Sequence, residues 1–221
     1  MNLVDALDVI DDRELRAPAM HMALDEALLH NAIIPVLRFY RWRAPAVSFG
    51  YFSRFDEVRE RSAERELVRR WTGGGIVLHG DDLTYSFVVP AAHSLHERKA
   101  REIYSLVHRA ITVALSLRGT NATLADSTAP RISDACFANP VYADVMVDGR
   151  KIAGAAQRRA RTGLLQQGSI QLNGPAPYFT RDFSDAICTT ARRIDIPTQC
   201  FPMATELAES KYATAEWLTR R

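Results

Sequence analysis

Three segments of the sequence carry residue types that could do chemistry. Residues 147–159, VDGRKIAGAAQRR, contain Lys151, one of only three lysines in a chain with 28 basic residues. Residues 69–87, RRWTGGGIVLHGDDLTYSF, contain three consecutive glycines, and residues 133–140, SDACFANP, contain Cys136. A thiol, a compact ammonium group and bare backbone N–H groups are therefore the candidates for a reactive site.

The glycine run needs a physical reason, because consecutive glycines cost backbone entropy on folding. The run consists of Gly73, Gly74 and Gly75. One reason is the close approach of a ligand to bare N–H groups, which suits an anion or a carbonyl oxygen. The other is a bulge or a crowded turn without a ligand. Arg69 and Arg70 before the run and His79 after it add cationic and polar groups, which favours the ligand.

Cys136 and Lys151 form a second candidate pair. Cys136 precedes Asn139-Pro140, so we expect it on a loop. A loop thiol becomes a nucleophile where a neighbouring cation lowers its pKa. Lys151 could supply that cation from beyond a tight turn at Asp148-Gly149. The alternative is a buried, inert cysteine and a surface lysine.

Small residues follow Lys151 and also interrupt the next apolar strand. They are Ala153, Gly154, Ala155 and Ala156 in the first strand, and Gly168 and Ser169 in LLQQGSIQL, residues 164–172. Either an elongated ligand lies against these residues, or a neighbouring element packs closely on them.

Composition limits the possible classes of protein. A chain of 221 residues with 47 % hydrophobic residues suits one domain with a sizeable core. A net charge of +2, with arginines spread along the chain, does not indicate nucleic-acid binding. Cys136, Cys188 and Cys200 show no CxxC spacing, which disfavours a disulfide framework or a zinc site and favours a reduced, cytoplasmic compartment. We expect no signal peptide and no membrane-spanning segment.

Hydrophobic periodicity predicts the elements that would position these residues. Helices are predicted in residues 17–32 and 96–119, the second ending at Gly119. VLRFYRW and AVSFGYF are predicted to form an antiparallel pair, and Asp148-Gly149 predicts a hairpin turn. Strands cluster in hairpins, so we predict an α+β fold with a mixed, mainly antiparallel sheet. We expect its helices on one side of the sheet.

Taken together, these segments resemble the lipoate/biotin protein ligase catalytic family, in its lipoyl and octanoyl branch. The resemblance covers roughly residues 15–175. It runs through MALDEALL, LRFYRWRAPAVSFGYF, RRWTGGGIVLH, GRKIAGAAQRR and GLLQQGSIQL. It implies the fold shared with class II aminoacyl-tRNA synthetases, and one catalytic domain over residues 1–221 without a C-terminal accessory domain. The biotin branch is disfavoured because its GRGR-type loop is absent.

The resemblance also implies roles for residues. The family lysine that reaches the acyl carbonyl corresponds to Lys151, and the ACF segment of cysteine-type octanoyltransferases corresponds to SDACFANP, with Cys136 as nucleophile. HGDDLTYSF is closer to octanoyltransferases than to ATP-dependent ligases, which usually have HDxGNLNFSF. The implied substrate-binding residues are Arg70, Gly73, Gly74, Gly75, His79, Gly154, Ala155, Gly168 and Ser169. No metal ligand is expected.

The implied function is that of an acyltransferase. It would move an octanoyl or lipoyl group onto a lysine of a lipoyl carrier domain, through a Cys136 thioester assisted by Lys151. Its partners would be acyl carrier protein and lipoyl domains such as glycine cleavage H protein or a 2-oxoacid dehydrogenase E2, without nucleic acid or membrane. No cofactor would be required. One alternative is a lipoate–protein ligase that uses ATP and Mg²⁺; another is a non-catalytic protein that binds lipoyl domains or acyl carriers.

Overall fold

The computed structural model of the protein describes residues 2–128, 139–171 and 178–220. The helices in this part of the chain are α1 (Pro18–Asn31), α2 (Ala100–Ser116), α3 (Phe179–Ile187), α4 (Cys200–Leu207) and α5 (Ala215–Thr219), with a π-helical turn at Ala208–Tyr212. The strands are β1 (Asp8–Arg16), β2 (Val36–Trp42), β3 (Ala46–Phe49), β4 (Glu66–Arg69), β5 (Val77–His79), β6 (Leu83–Pro90), β7 (Ala122–Leu124), β8 (Val145–Val147), β9 (Arg150–Ala160), β10 (Gly163–Ile170) and β11 (Arg192–Arg193). Short 3-10 helices lie at Phe55–Glu57, Arg59–Ala63 and Ser94–Glu97.

The strands of the described residues form two sheets. The larger has the order β11-β1-β2-β6-β10-β9-β8-β7, and the smaller has the order β4-β3-β5. In the larger sheet β1 runs parallel to β2 and β11, and the other neighbours are antiparallel. The predicted mixed, mainly antiparallel sheet is therefore confirmed.

Helices cover both faces of the large sheet, so the expectation of helices on one side is wrong. Leu37 and Phe39 of β2 belong to the core cluster under α2 and α3, whereas Tyr40 and Trp42 belong to the cluster under α1 and α4. Alternate residues of a strand point to opposite faces. Because both sets are apolar, each face needs a covering layer.

The small sheet corrects a second expectation. β2 and β3 do not pair with each other: β2 lies between β1 and β6, and β3 lies between β4 and β5. Each of the two strands pairs with strands that are distant in sequence, although only a short connection separates β2 from β3. The small sheet places Ser48 on β3 beside His79 on β5.

The hairpin between β8 and β9 is confirmed. Asp148 and Gly149 both have positive φ, at 49° and 73°, as a two-residue turn of type I′ requires. The predicted stop of α2 is also confirmed, since Gly119 has a φ of 76° and the Thr120 N–H donates to the Leu115 carbonyl oxygen at 3.0 Å.

No helix within the described ranges is both long enough and apolar enough to cross a bilayer.

Candidate active site

A narrow pocket, which we call the central pocket, opens between β9, β10 and the loop of residues 70–75, the glycine loop. Its empty volume is about 390 Å³ including the open mouth. Met22, Tyr40, Trp42 and Val77 contribute apolar walls. The predicted substrate-binding residues that line the pocket are Arg70, Gly74, His79, Gly154, Ala155, Gly168 and Ser169.

Gly73 and Gly75 do not line the central pocket; their carbonyl oxygens accept hydrogen bonds from Arg70 Nη2 at 3.0 and 2.8 Å. Gly74 has a φ of 85°, which favours glycine. A Cβ on Gly50 would lie 2.0 Å from the Gly74 carbonyl oxygen. Close packing of two backbone segments and one left-handed residue therefore account for part of the glycine run, as the crowded-turn alternative proposed.

Arg69 is fully buried and connects the segment beside the glycine loop to the C-terminal helices through hydrogen bonds. Arg69 donates to the carbonyl oxygens of Tyr51 and Ser53 at 3.0 and 2.7 Å. The same guanidinium donates to the carbonyl oxygens of Leu218 and Arg220 at 2.9 and 2.8 Å. The loop that packs against Gly73 and Gly74 is thus held by residues from the far end of the chain.

His79 lies in a buried chain of hydrogen bonds. Its Nδ1 lies 2.8 Å from Asp82 Oδ2, and its Nε2 lies 2.6 Å from Ser48 Oγ. Arg70 Nη1 donates to Ser48 Oγ at 2.7 Å. An ionised carboxylate only accepts, so the proton of a neutral His79 is on Nδ1 and Ser48 donates to Nε2.

The electrostatics fit a neutral His79 beside an ionised Asp82. Burial lowers the pKa of His79, although the Asp82 carboxylate acts in the opposite direction. Burial by itself raises the pKa of Asp82, but His79 and a hydrogen bond from Ser169 outweigh it and the pKa is lowered. Trp42 stacks on the imidazole with ring centroids 4.0 Å apart. Since both nitrogens are engaged, His79 can hold Ser48 and Arg70 in place.

Gln167 ties the floor of the central pocket to the glycine loop. Its Nε2 donates to Asp25 Oδ2 of α1 at 2.7 Å, and its Oε1 accepts from Thr72 Oγ1 at 2.8 Å. Asp25 also accepts from the buried Arg38 Nη1 at 2.7 Å. These residues were not predicted from the sequence. Charged residues within the apolar runs MALDEALL and VLRFYRW were the available signal.

Lys151 is buried, with its side chain only 2 % exposed. Its Nζ lies 2.8 Å from Asp144 Oδ2. A β-bulge places it: Met146 pairs with Lys151 but Val145 pairs with Ala153, so β9 contains an extra residue. This extra residue brings Lys151 and Gly154 to the same face of β9. The alternative of a surface lysine is wrong.

Because Gly154 has no side chain, it leaves space for the ammonium group of Lys151. A Cβ on Gly154 would lie 2.5 Å from Lys151 Cε and 2.8 Å from Nζ. Gly154 and Gly74 both line the central pocket. The lysine amine therefore lies beside a glycine that, like Gly74 of the glycine loop, lines the central pocket.

Asp144 is held by several donors. The Val141 N–H donates to Asp144 Oδ2 at 2.7 Å, and the Tyr104 hydroxyl donates to Asp144 Oδ1 in a short hydrogen bond. The Tyr104 oxygen accepts from the Ala155 N–H at 3.1 Å. Burial raises the pKa of Tyr104 well above its usual value, so it stays a donor. These bonds connect α2, β9 and the segment before β8 around one carboxylate.

Cys136 lies outside the described residues, so its distance from Lys151 stays a prediction. The two other cysteines, Cys188 and Cys200, are buried, and burial raises the pKa of the Cys200 thiol. Both observations are typical of inert thiols. Within residues 2–128, 139–171 and 178–220, no three His, Cys, Asp or Glu side chains are grouped so that they could hold a metal ion.

The chain is similar in sequence to known proteins. Residues 17–198 match the family model described as the lipoyl protein ligase A/B catalytic domain. Octanoyltransferase LipM of Oceanobacillus iheyensis is 41 % identical over 164 residues, which cover 70 % of this chain and 60 % of the relative. Octanoyltransferase LipM of Geobacillus kaustophilus is 38 % identical over 173 residues, covering 71 % and 62 %. The match thus spans about three fifths of the length of these relatives.

Solved structures give the fold. A bi-partite lipoate protein ligase from Thermoplasma acidophilum superposes with a TM-score of 0.71 at 21 % identity, covering 98 % of this chain and 96 % of the other. Lipoate-protein ligase A bound with ATP superposes with a TM-score of 0.72 at 22 % identity, covering 99 % of each chain. These likenesses confirm the fold predicted from the resemblance.

Proposed function

Because this chain belongs to the family of lipoyl protein ligase A/B catalytic domains, we propose that it transfers an octanoyl or lipoyl group to a lysine of a lipoyl carrier domain. The observation that carries this proposal is the buried Lys151 ammonium, which lies against Gly154, a residue that lines a pocket with apolar walls. The names of the curated relatives favour octanoyl as the group. We further propose that residues 1–221 act as one catalytic domain.

Lys151 would stabilise the negative charge that develops on the acyl carbonyl oxygen. A preformed cation in a site with little water is worth more than the same cation in bulk solvent. The ammonium is compact, and the Asp144 carboxylate restrains it through a contact of 2.8 Å. A planar guanidinium has a larger donor group and would fit less well beside Gly154.

Cys136 would carry the acyl group between donor and acceptor. Its thiolate attacks the donor thioester, a new carbon–sulfur bond forms, and the donor thiolate leaves and takes up a proton. The acceptor lysine amine then attacks the acyl-enzyme thioester. An amide bond forms, the amine loses a proton to the departing Cys136 thiolate, and the free thiol is restored.

The donor would be an acyl thioester on a carrier protein, and the acceptor a lipoyl domain of the H-protein or E2 type. No cofactor takes part in this exchange, because the thioester already holds the acyl group in an activated form. A lipoate–protein ligase would instead need ATP to activate a free acid. The two reactions therefore differ in their requirement for nucleotide.

Intact-mass measurement after mixing the full chain with octanoyl-acyl carrier protein tests the proposal. We expect an octanoyl adduct on Cys136 that disappears when a lipoyl domain is added, with the octanoyl group found on the acceptor. Cys136→Ala should give neither product, and Cys188→Ala is the matched control. Full activity of Cys136→Ala with ATP and lipoate would establish a ligase instead. Tight binding of the carrier without any adduct or product would establish a binding protein.

A further inference from the structure

A ring of cations and aromatic side chains lies between the glycine loop and the C-terminal helices. We call it the cation–aromatic cluster; its members are Arg158, Lys211 and Arg220 with Tyr51, Trp71 and Trp217. Each aromatic ring lies against two of the cations, with the charged atom 4.6 to 5.4 Å from the ring centroid. Cations and rings therefore alternate around a closed circuit.

The cluster has more positive than negative charge. Lys211 Nζ pairs with Glu26 Oε2 at 2.6 Å. For the guanidinium groups of Arg158 and Arg220, the described part of the chain provides no ion pair or hydrogen bond. Arg158 Nε is moreover a buried nitrogen without a hydrogen-bond partner among the described residues. Two positive charges thus have no described counter-charge.

These charges lie close enough to repel one another. Two cations that share a ring cannot be further apart than their two ring distances combined, which is within the Debye length of about 10 Å at 0.1 M salt. Burial lowers the pKa of Lys211 despite its contact with Glu26, and Arg158 and Arg220 lower that pKa further. A bound anion would relieve this repulsion.

The cluster adjoins the central pocket. Arg158 follows Ala156 by two residues on β9, so both are on one face, about 7 Å apart. Ala156 lines the central pocket, and its Cβ would lie 3.1 Å from a Cβ on Gly74. On the other side, the Tyr51 N–H donates to the Thr72 carbonyl oxygen at 2.9 Å. A ligand could therefore reach from the pocket to the cluster.

The chemistry of the cluster suits a phosphate ester. A guanidinium that lies against an aromatic ring keeps in-plane N–H groups for a second partner, and this fork matches phosphate oxygens. We propose that the cation–aromatic cluster binds the phosphate group of the acyl donor. The identification of the donor rests on the proposed function, whereas the affinity for phosphate rests on the cluster alone.

Binding of inorganic phosphate to the full chain tests the affinity. Trp71 and Trp217 belong to the cluster, so we expect titration with phosphate to change tryptophan fluorescence. Arg158→Gln combined with Arg220→Gln should weaken binding at least about tenfold, because hydrogen bonds to charged groups are lost. In case the double variant misfolds, Arg220→Gln is also tested alone, since Arg220 lies at an exposed position. The matched control is Arg13→Gln, because the Arg13 side chain is 89 % exposed. Unchanged phosphate binding by both cluster variants would refute the proposal.

Titration with octanoyl-coenzyme A and with ATP then identifies the source of the phosphate. We expect octanoyl-coenzyme A to bind more tightly than phosphate, and the double variant to lose that gain. In transfer assays the variant should raise the KM for the donor at least about tenfold and leave kcat nearly unchanged. Tighter binding of ATP than of the acyl thioester would contradict the donor assignment. If the double variant loses affinity only for the lipoyl domain and keeps its phosphate binding, the cation–aromatic cluster is not the phosphate site. Lack of a Cys136 adduct with intact phosphate binding would contradict the proposed function only.

Discussion

At the scale of single residues, the candidate site depends on a lysine amine that lies very close to a backbone. The bulge in β9 turns Lys151 to the face of Gly154, where a hydrogen instead of a methyl group leaves space for Nζ. Asp144 holds the amine from the other side at 2.8 Å. The position of the charge is therefore set by a glycine and a carboxylate together.

Replacing Gly154 with alanine tests this arrangement. The new methyl group would lie 2.5 Å from Lys151 Cε. Because the neighbouring atoms belong to the end of a flexible side chain, the amine should move while the fold survives. We expect acyl transfer to fall by about 100-fold or more, the usual effect of losing one oxyanion donor. Gly80→Ala is the matched control, since a Cβ there meets no atom within 4 Å. Equal activity of both variants would remove Gly154 from the proposal.

Replacing Lys151 with arginine tests the shape of the cation separately from its charge. A guanidinium can still pair with Asp144, so the thermal unfolding temperature should change little. Its longer fork cannot place a donor where the ammonium lies without moving Gly154 or the acyl group. We expect transfer to a lipoyl domain to fall by about 100- to 1,000-fold. Lys99→Arg, at an exposed position, is the control. Near-normal turnover by Lys151→Arg would leave Lys151 with a structural role only.

At the scale of elements, the glycine loop is shaped by the segment that follows β3. A Cβ on Gly50 would lie 2.0 Å from the Gly74 carbonyl oxygen and 2.7 Å from the Gly73 carbonyl carbon. Those atoms belong to the backbone, which cannot move aside as easily as the end of a side chain. The small sheet and the glycine loop therefore form one unit.

Gly50→Ala should damage this unit. We expect a loss of unfolding free energy of about 1–3 kcal/mol from overpacking, together with weaker binding of the acyl donor. Gly73→Ala in the same loop meets no atom within 4 Å, so it should keep the stability of the wild type. Urea denaturation of the three proteins measures the difference. Equal stability of Gly50→Ala and Gly73→Ala would show that the two segments can separate.

Local patterns in the sequence were sufficient to predict those elements whose contacts are made between neighbouring residues. The turn at Asp148-Gly149 and the end of α2 at Gly119 follow from backbone preferences of neighbouring residues. The pairing of β2 with β3 was predicted wrongly because strand partners come from distant parts of the chain. The central pocket was found largely through its small residues.

The partners that hold the site were not predicted, for the same reason. Ser48 reaches His79 across 31 positions of sequence, and Asp25 reaches Gln167 across 142. The hydrophobic periodicity of the sequence carries no information about such contacts. The prediction of helices on one side failed because β2 contributes apolar residues to the cores on both faces of the sheet.

At the scale of the whole molecule, three buried histidines make folding sensitive to acid. Burial lowers the pKa of His108 to about 4, and burial together with Arg38 lowers the pKa of His21 to about 3. Burial lowers the pKa of His79 as well. The folded chain therefore keeps these imidazoles neutral at pH values where the unfolded chain protonates them.

Stability should fall as pH falls from about 6.5 towards about 4. In this window the unfolded chain binds more protons than the folded chain, and the loss approaches 1.4 kcal/mol per pH unit for each histidine at most. Urea denaturation between pH 7.5 and 5 measures the slope. His108→Asn keeps a donor near the Ala143 carbonyl oxygen and should reduce the slope, whereas the exposed His30→Asn should not. A stability that does not depend on pH in this window would contradict the prediction.

The contacts of Arg69 have a consequence for the time course of synthesis. Arg69 bonds to carbonyl oxygens 148 to 151 residues further along the chain. At about 5–20 residues per second, a ribosome makes those partners about 7 to 30 s after Arg69 itself. During that interval the segment beside the glycine loop lacks its anchor. A nascent chain should therefore remain unable to use its acyl donor until residues 217–220 have emerged.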